Sequence, residues 1–326
     1  MNWNFLRAGC ALALAAALLP ASVTAQTRAA DFPTRVVKLI VPFPPGGATD
    51  ALARQIAEQL AQKWKQPVVV ENKPGGNTML GTDVVAKSPA DGYTLGIVTG
   101  SHVTNPLLTS KMPYDTQRDL TGVMLLTRFH MAVYAHPSFP ANTPAEMMAL
   151  VKKDPGKIAY AAATTQTYLG VELLNAMAGT RMQYVPYKGS AQALTDLLGG
   201  HVQLMVDPVL QSTVDHAKTG KLKVIGTLGA TQSALTPGAQ LFAQQVPGYE
   251  FSGAFGLVAR AGTPADLVRR IRDEFAAVMR QPEVAARIRD IGQEAIISTP
   301  EEYNAYIVAE TKKWEPVVKS TGAKLE

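Results

Sequence analysis

The sequence has little of what several classes of protein need. It contains one cysteine, Cys10, and five histidines. Cys10 lies inside an N-terminal targeting segment, so the rest of the chain has neither a disulfide nor a thiol nucleophile, and its core alone must hold it together. The pairs His130/His136 and His201/His216 lack helical zinc spacing, and no G-x-S-x-G motif is present. These absences argue against thiol, serine-hydrolase and zinc chemistry.

Charge of either sign is also sparse. Charged residues make up 17% of the chain, and the formal net charge is +5. The densest basic cluster, Arg269, Arg270 and Arg272, is interleaved with Asp266 and Asp273, as on a solvated helix face. We therefore expect no nucleic-acid partner. The small basic excess favours an acidic small ligand only weakly.

Residues 1–25 have the pattern of a signal peptide. Arg7 provides a positive charge, Ala8–Leu19 forms a short apolar core, and Val23–Ala25 is a small-residue cleavage pattern. The apolar run is too short and too rich in alanine for a membrane span. We predict export and cleavage after Ala25, which leaves about 300 residues, enough for two domains with their own cores.

Downstream, short apolar runs alternate with amphipathic segments. Val36–Val41, Val68–Val70 and Tyr93–Val98 have the pattern of strands, and helical patterns separate them. This alternation predicts an α/β fold with mostly parallel central sheets and helices on both faces. Ligands of such sheets bind beyond the carboxyl ends of the strands. The loops after these strands carry hydrogen-bonding candidates, among them Asn77, Thr99 and Ser101.

The loop after the first strand, Pro42–Asp50, is the first candidate site. Gly46 and Gly47 permit a tight turn, and Thr49 or Asp50 can cap the helix that follows. The free N–H groups and positive dipole end of that helix suit an anion. Alternatively, the loop is only a stiff connector, because a glycine pair lacks the spacing of a phosphate fingerprint.

A second series of strands and helices follows residue 134. Ile158–Ala162 has the pattern of a strand before a threonine-rich loop, 163–167, and a helix over Tyr168–Ala178. Met182–Val185 leads into a loop and helix comparable to the first candidate site. Helix starts are predicted where Thr-Pro is followed by an acid, as in a capping box; the three threonines are Thr143, Thr263 and Thr299. Amphipathic helices over about 265–279 and 300–311 complete the chain.

The segment Leu39–Asp50 resembles the opening signature of the solute-binding proteins of tripartite tricarboxylate transporters, the Bug family. The likeness extends in order over nearly all of the chain after the signal peptide. It continues through Val68–Asn77, Ala90–Thr94, Asn105–Pro106, Pro113–Asp115, Pro155–Lys157, Val185–Ser190, Ala193–Gly200 and Ala261–Pro264.

This resemblance implies a two-lobed periplasmic binding protein fold, type II-like, with a hinge of two crossing strands. Lobe 1 would contain residues 31–129 and 251–326, lobe 2 residues 130–250, and the ligand cleft would lie between them. The protein would not be an enzyme and would need no cofactor or metal. It would capture a di- or tricarboxylate, an acidic amino acid or an aromatic carboxylate in the periplasm, and deliver it to an integral-membrane permease. We expect a monomer.

The resemblance also implies which residues bind the ligand. In the family, one carboxylate sits on the Gly-Gly loop of lobe 1, partly through water. The matching positions here are Phe43, Gly46, Gly47, Ala48, Thr49 and Asp50. Lobe 2 would contribute Thr164, Thr165, Gln166, Tyr168, Tyr187, Gly189, Ser190 and Ala191, with Asp207 at the cleft edge.

One loop departs from the family pattern. Many relatives have a Ser/Gly-rich loop ending in His, whereas residues 164–168 here are Thr-Thr-Gln-Thr-Tyr. The change is either neutral drift or a replacement of a cation by the neutral donors and aromatic surface of Gln166 and Tyr168. The second reading favours an aromatic or long-chain carboxylate. His102, in a loop at the cleft edge, either compensates for the lost cation or is a histidine that is exposed to solvent or hydrogen-bonded within the fold.

Two other functions remain open at this point. A ligand-sensing subunit that docks on a membrane receptor would share the cleft and differ only in its partner. An exported hydrolase is the weaker alternative, since its nucleophile motif is missing.

Overall fold

The computed structural model describes residues 31–46, 48–187 and 189–324. The predicted signal peptide, with its cleavage site after Ala25, lies outside the described residues, as does Gly47. Within the described ranges, no helix combines the length and apolar character needed to cross a membrane. The same ranges contain no group of three or more His, Cys, Asp or Glu side chains that could hold a metal ion.

Strands and helices alternate along the first part of the chain, as the sequence predicts. In order they are β1 (Val37–Val41), α1 (Ala48–Trp64), β2 (Val68–Asn72), α2 (Met79–Ala86), β3 (Thr94–Val98), α3 (Ser101–Leu108) and β4 (Leu120–Ala135).

The alternation continues through the second part. Its elements are α4 (Pro144–Lys153), β5 (Ala159–Ala162), α5 (Thr165–Ala178), β6 (Gln183–Pro186), α6 (Ser190–Leu198), β7 (Leu204–Pro208), α7 (Gln211–Lys218) and β8 (Lys223–Thr227). The chain ends with β9 (Ser252–Arg260), α8 (Ala265–Met279), α9 (Pro282–Asp290), β10 (Gln293–Ala295) and α10 (Pro300–Thr321).

The strands form a mixed sheet with two parallel groups. In the first group β1 lies between β2 and β3, and in the second β5 lies between β6 and β7. The parallel pairing predicted from the alternating pattern is confirmed within each group. The long strands β4 and β9 pair antiparallel with their neighbours, which gives the order β2-β1-β3-β9-β4-β7-β5-β6.

Strand β4 joins the two groups. Its residues Leu120–His130 pair with β9, and Met131–Ala135 pair with β7 and β8. The chain returns at Phe251, whose N–H donates to the carbonyl of Leu228 just before β9 begins. The molecule therefore has two lobes that share β4 and are connected at two chain crossings.

Helices cover both faces of each group because their apolar stripes need a partner. In the first lobe, α1 and α8 bury Ile56 and Ile271 against one face. Helices α2, α3 and α10 cover the other face, where Trp314 is fully buried. In the second lobe, Leu169 of α5 packs on one face and Leu197 of α6 on the other.

The predicted caps are confirmed at two of the three Thr-Pro pairs. The Oγ1 of Thr143 accepts from the N–H of Glu146, and Thr299 forms a complete capping box with Glu302. At Thr263 the predicted helix start is confirmed but the predicted cap is wrong, because the Thr263 hydroxyl donates to the carbonyl of Arg260 at 2.7 Å in the turn after β9. Helix α8 begins at Ala265 without a side-chain cap.

The C-terminal region is more regular than predicted. Helix α10 continues to Thr321 rather than ending near residue 311, since Trp314, Val317 and Val318 extend its buried face. Helix α9 and strand β10 were not predicted. Strand β10 places Gln293 opposite Phe129 of β4, a long-range pairing that no local pattern indicates.

Candidate functional site

A cavity of about 210 Å³ lies where the carboxyl ends of strands from both lobes converge. This edge is where sheets of this type bind ligands. The described residues that line it are Phe43, Thr49, Asn77, Thr78, Thr99, Ser101, Phe129, Met131, Thr164, Gln166, Thr167, Ser190, Asp207, Pro208, Phe251, Gly253 and Phe255.

Three helices of the first lobe begin at this cavity. Thr49 lies in the first turn of α1, Thr78 is the N-cap residue of α2, and Ser101 is the first residue of α3. Asn77 precedes α2, and its side-chain amide donates to Asn105 Oδ1 at 2.6 Å. The first-turn N–H groups of α2 and α3 donate to carbonyls of the preceding loops, such as Gly76 and Thr99. These two helices therefore act on an anion through the positive end of their dipole.

Two helices of the second lobe begin at the same cavity. Thr164 caps α5, because its hydroxyl accepts from the N–H of Thr167 at 3.1 Å, and Gln166 lies in the first turn. Ser190 is the first residue of α6. Five helix N-termini therefore border one small cavity, and their combined field favours an anion.

Strands β4 and β9 provide an apolar wall. Alternate residues of these segments, Phe129 and Met131 on one side and Phe251, Gly253 and Phe255 on the other, line the cavity, as the two-residue period of a strand requires. The rings of Phe129 and Phe255 lie 5.1 Å apart, and a Cβ atom at Gly253 would overlap the Phe129 ring. This wall suits the hydrocarbon part of a ligand.

The described lining residues include one ionisable side chain, Asp207 near the end of β7, and no Lys, Arg or His. Asp207 is 4% exposed, and the Ser190 hydroxyl donates to its Oδ1 at 2.6 Å. Burial raises the pKa of Asp207 to about 7, although the Ser190 hydrogen bond lowers it. The groups offered to an anion are thus N–H, hydroxyl and amide donors.

Asp50 holds the Gly46 loop in place through hydrogen bonds. Gly46 has a φ of +89°, a conformation that favours glycine. Its N–H donates to Asp50 Oδ2 at 2.9 Å, while Arg54 and Asn72 donate to the same carboxylate at 3.0 and 2.9 Å. Arg54 first, then Gly46 and Asn72, hold the pKa of Asp50 at about 2 despite its burial. Asp50 supports the loop and lies outside the cavity lining.

The other predicted residues lie beside the lining. His102 is buried in α3, and burial lowers its pKa to about 4, so a neutral ring cannot supply the missing cation. Tyr168 packs on Tyr184 with ring centroids 4.7 Å apart. The Tyr187 hydroxyl donates to Asp196 at 2.7 Å. Flanking the lining residues at the starts of α1, α5 and α6 are Ala48, Thr165, Gly189 and Ala191.

Sequence analysis missed the apolar wall and some neighbours of the predicted residues. The missed lining residues are Thr78, Phe129, Met131, Thr167, Pro208, Phe251, Gly253 and Phe255. A usable signal was present: the patterns Phe-x-Met at 129–131 and Phe-x-Gly-x-Phe at 251–255 stand at the two predicted crossings. Alternate residues of a strand share one face, so each pattern predicts a common surface.

A larger cavity of about 360 Å³ lies against the opposite face of β4. Its lining includes His130, which bonds to Glu294 at 2.8 Å. The helical residues in its wall include Ile288 and Arg289 from the last turn of α9, the negative end of the helix dipole. The side chains of Arg289 and Glu294, both in this lining, carry charges of opposite sign.

The chain is similar to known proteins over most of its length. A family model described as a tripartite tricarboxylate transporter family receptor matches residues 52–323. Protein BugT of Bordetella pertussis (strain Tohama I) is 32% identical, with 100% of both chains covered. The structure of R. palustris Rpa4515 with adipate shows 32% identity and a TM-score of 0.78, covering 90% of this chain and 100% of that one. The structure of MatC (Rpa3494) from Rhodopseudomonas palustris with bound malate shows 29% identity and a TM-score of 0.73. It covers 88% of this chain and 100% of that one.

These similarities extend over most of the chain and include its fold. The periplasmic binding protein BugD, 29% identical, has a TM-score of 0.75 over 90% of this chain, which confirms the predicted fold class. Proteins of this family are solute-binding receptors rather than enzymes, in agreement with the sequence prediction. The chain belongs to the tripartite tricarboxylate transporter receptor family, the periplasmic solute-binding proteins that include the Bug proteins.

Proposed function

We propose that this receptor captures a small carboxylate in the cavity between its lobes and delivers it to the integral-membrane permease subunits of a tripartite transporter. The observation that supports this most is the set of five helix N-termini at one cavity of about 210 Å³. The related Rpa4515 with adipate and MatC with malate support a carboxylate as the ligand class.

Binding strength requires the lobes to close. One helix N-terminus contributes about 0.3–2 kcal/mol to a bound carboxylate, and the effect falls off within one turn. The two ends nearest one carboxylate therefore supply at most about 4 kcal/mol, whereas micromolar affinity requires about 8 kcal/mol. Direct hydrogen bonds and burial of the ligand supply the rest, and burial depends on closure. We place the two closing bodies at residues 31–129 with 251–326 and at residues 130–250, so that motion occurs at the crossings beside the apolar wall.

Within the cavity, we assign one carboxylate to the first-lobe loop around Gly46, Gly47 and Thr49, with Ser101 beside it. Thr164, Gln166 and Ser190 face it from the second lobe. We also propose that the protein works as a monomer after cleavage behind Ala25. The intact mass of the periplasmic protein tests the cleavage.

A thermal-shift screen of residues 26–326 against mono-, di- and tricarboxylates, each paired with its neutral amide, tests this function. A ligand at 100 times its Kd stabilises the folded state by about 2.7 kcal/mol, so a carboxylate should raise Tm and its amide should not. The proposal fails if amides raise Tm as much as acids, or if no carboxylate raises it. A pull-down of membrane proteins with the liganded receptor separates transport from sensing. Capture of the permease subunits supports transport, and capture of a signalling receptor supports sensing.

A further inference from the structure

Asp207 is an unusual residue for an anion site. It lies near the end of strand β7 and lines the same cavity as first-lobe residues such as Thr49 and Ser101. The one hydrogen bond of its side chain to a described residue comes from Ser190, and its carboxyl group forms no ion pair with any described side chain. A ligand that fills the cavity meets this carboxyl group at the second-lobe end.

The charged and titratable groups around Asp207 do not neutralise it. Strands β4 and β5 flank β7, and helix α6 packs on it. These elements carry Arg128, His130, Tyr134, Tyr160 and Asp196.

Arg128 and His130 lie on the face of β4 opposite Phe129 and Met131, and His130 bonds to Glu294. Asp196 accepts from Tyr187. Tyr134 is buried, and the charge on Asp207 further raises its pKa, so its hydroxyl stays protonated.

A dicarboxylate carries two ionised carboxyl groups at neutral pH. A ligand that places one of them at the first-lobe helix N-termini directs the other toward the second-lobe end of the cavity, where Asp207 lies. Two ionised carboxylates close together and removed from water repel each other strongly, and such a pair binds one proton. The proton then forms a short O–H···O⁻ hydrogen bond between them, which is stronger than a neutral one.

We propose that Asp207 determines ligand specificity at the second-lobe end by holding one proton between its carboxyl group and a carboxylate of the ligand. This rests on the proposed function and adds that a dicarboxylate is captured together with a proton. At acidic pH the proton is already on Asp207, and at alkaline pH it comes from solvent. No covalent bond of the ligand changes, and the proton returns to solvent when the ligand leaves.

The pH dependence follows from the pKa of Asp207, which burial raises to about 7. Below that pH the free receptor already carries the proton, so dicarboxylate affinity is constant down to the pH where the ligand itself protonates. Above it, one proton must be taken up, and affinity falls about tenfold per pH unit. The α6 N-terminus and the Ser190 hydroxyl favour the ionised form of Asp207. They therefore lower the pH above which dicarboxylate affinity begins to fall.

Isothermal titration calorimetry between pH 6 and 9 with adipate and malate tests this, in buffers of different ionisation enthalpy that count protons. The wild-type receptor should lose about tenfold in affinity per unit above pH 7 and take up about one proton at pH 9. Asp207→Asn should show a flat profile and no uptake, because an amide N–H donates without titrating. The monoamide of each acid should bind wild type without proton uptake, since its N–H donates to ionised Asp207.

Ser190→Ala provides a second variant. Removing the hydroxyl removes a contact that lowers the pKa of Asp207, so the break should move to higher pH in a protein whose unliganded Tm confirms folding. Dicarboxylate binding at pH 9 without proton uptake, or a wild-type profile in Asp207→Asn, overturns the inference while leaving carboxylate capture intact. Dicarboxylate affinity that rises through pH 7 also overturns it, because binding coupled to proton uptake can only weaken as pH rises. Failure of every carboxylate to bind overturns the proposed function too.

Discussion

The side-chain amide of Gln166 lies directly over Gly100, so close that a Cβ atom at Gly100 would overlap it. Gly100 precedes α3 in the first lobe, and Gln166 lies in the first turn of α5 in the second. The contact therefore crosses between the lobes at the edge of the cavity. Because glycine has no side chain, the N-termini of α3 and α5 can approach each other at Gly100.

Gly100→Ala should weaken carboxylate binding because the Gln166 amide must move out of the cleft. Loss of one hydrogen bond corresponds to about 0.5–1.5 kcal/mol, or about 2–12-fold in Kd. The Tm of the unliganded protein should change little, because the end of Gln166 is flexible. Calorimetry of Gly100→Ala, Gln166→Ala and the double variant measures the coupling between them. We expect the double variant to bind no more weakly than Gln166→Ala alone; additive losses would show that the contact does not act in binding.

The same loop shows what sequence alone could and could not predict. Residues 164–168 were identified as part of the site, but the helix was predicted to begin at Tyr168, and it begins at Thr165. A run of threonines contains no proline or acid to mark the start. With the earlier start, Gln166 lies at the cavity and Tyr168 on Tyr184. Local patterns thus located the strand ends and most helix starts, whereas the apolar wall depends on the pairing of β4 with β9, distant in sequence.

Asp50→Ala should destabilise the fold and weaken binding together, because it releases the Gly46 loop. Loss of hydrogen bonds to a charged group costs about 1.5–3 kcal/mol. The pKa of Asp50 is held at about 2, below its unfolded value, so this stabilisation is present above about pH 4 and disappears as pH falls through 2. Urea unfolding of both proteins at pH 7, 4 and 2 should show the difference shrinking in that order.

Asp83→Ala is the matched control, since the ion pair that Asp83 forms among the described residues is with the exposed Lys87 one helical turn away. Such surface pairs contribute about 0–1 kcal/mol, and ligand affinity should stay unchanged. Equal effects of Asp50→Ala and Asp83→Ala would contradict a supporting role for Asp50.

Thr299→Ala should destabilise the protein by about 0.5–2 kcal/mol through loss of the α10 capping box. Thr263→Ala, at a similar Thr-Pro pair, should not show the capping loss, because its hydroxyl bonds to Arg260 rather than to a helix N–H. Chemical denaturation compares the two variants, and carboxylate affinity should be the same in both. A larger loss for Thr263→Ala would reverse the assignment of the caps.

The measurement that tests the central claim most directly is the Kd ratio between a dicarboxylate and its neutral diamide, taken by calorimetry at pH 6.5 on residues 26–326. Five helix N-termini at one cavity should favour the acid, and about 3 kcal/mol of that preference is about 100-fold in Kd. We expect adipate or malate to bind at least that much more tightly than the diamide of the same acid. Equal affinities for acid and diamide would contradict the account, because the helix N-termini would then contribute nothing to recognition of the ligand.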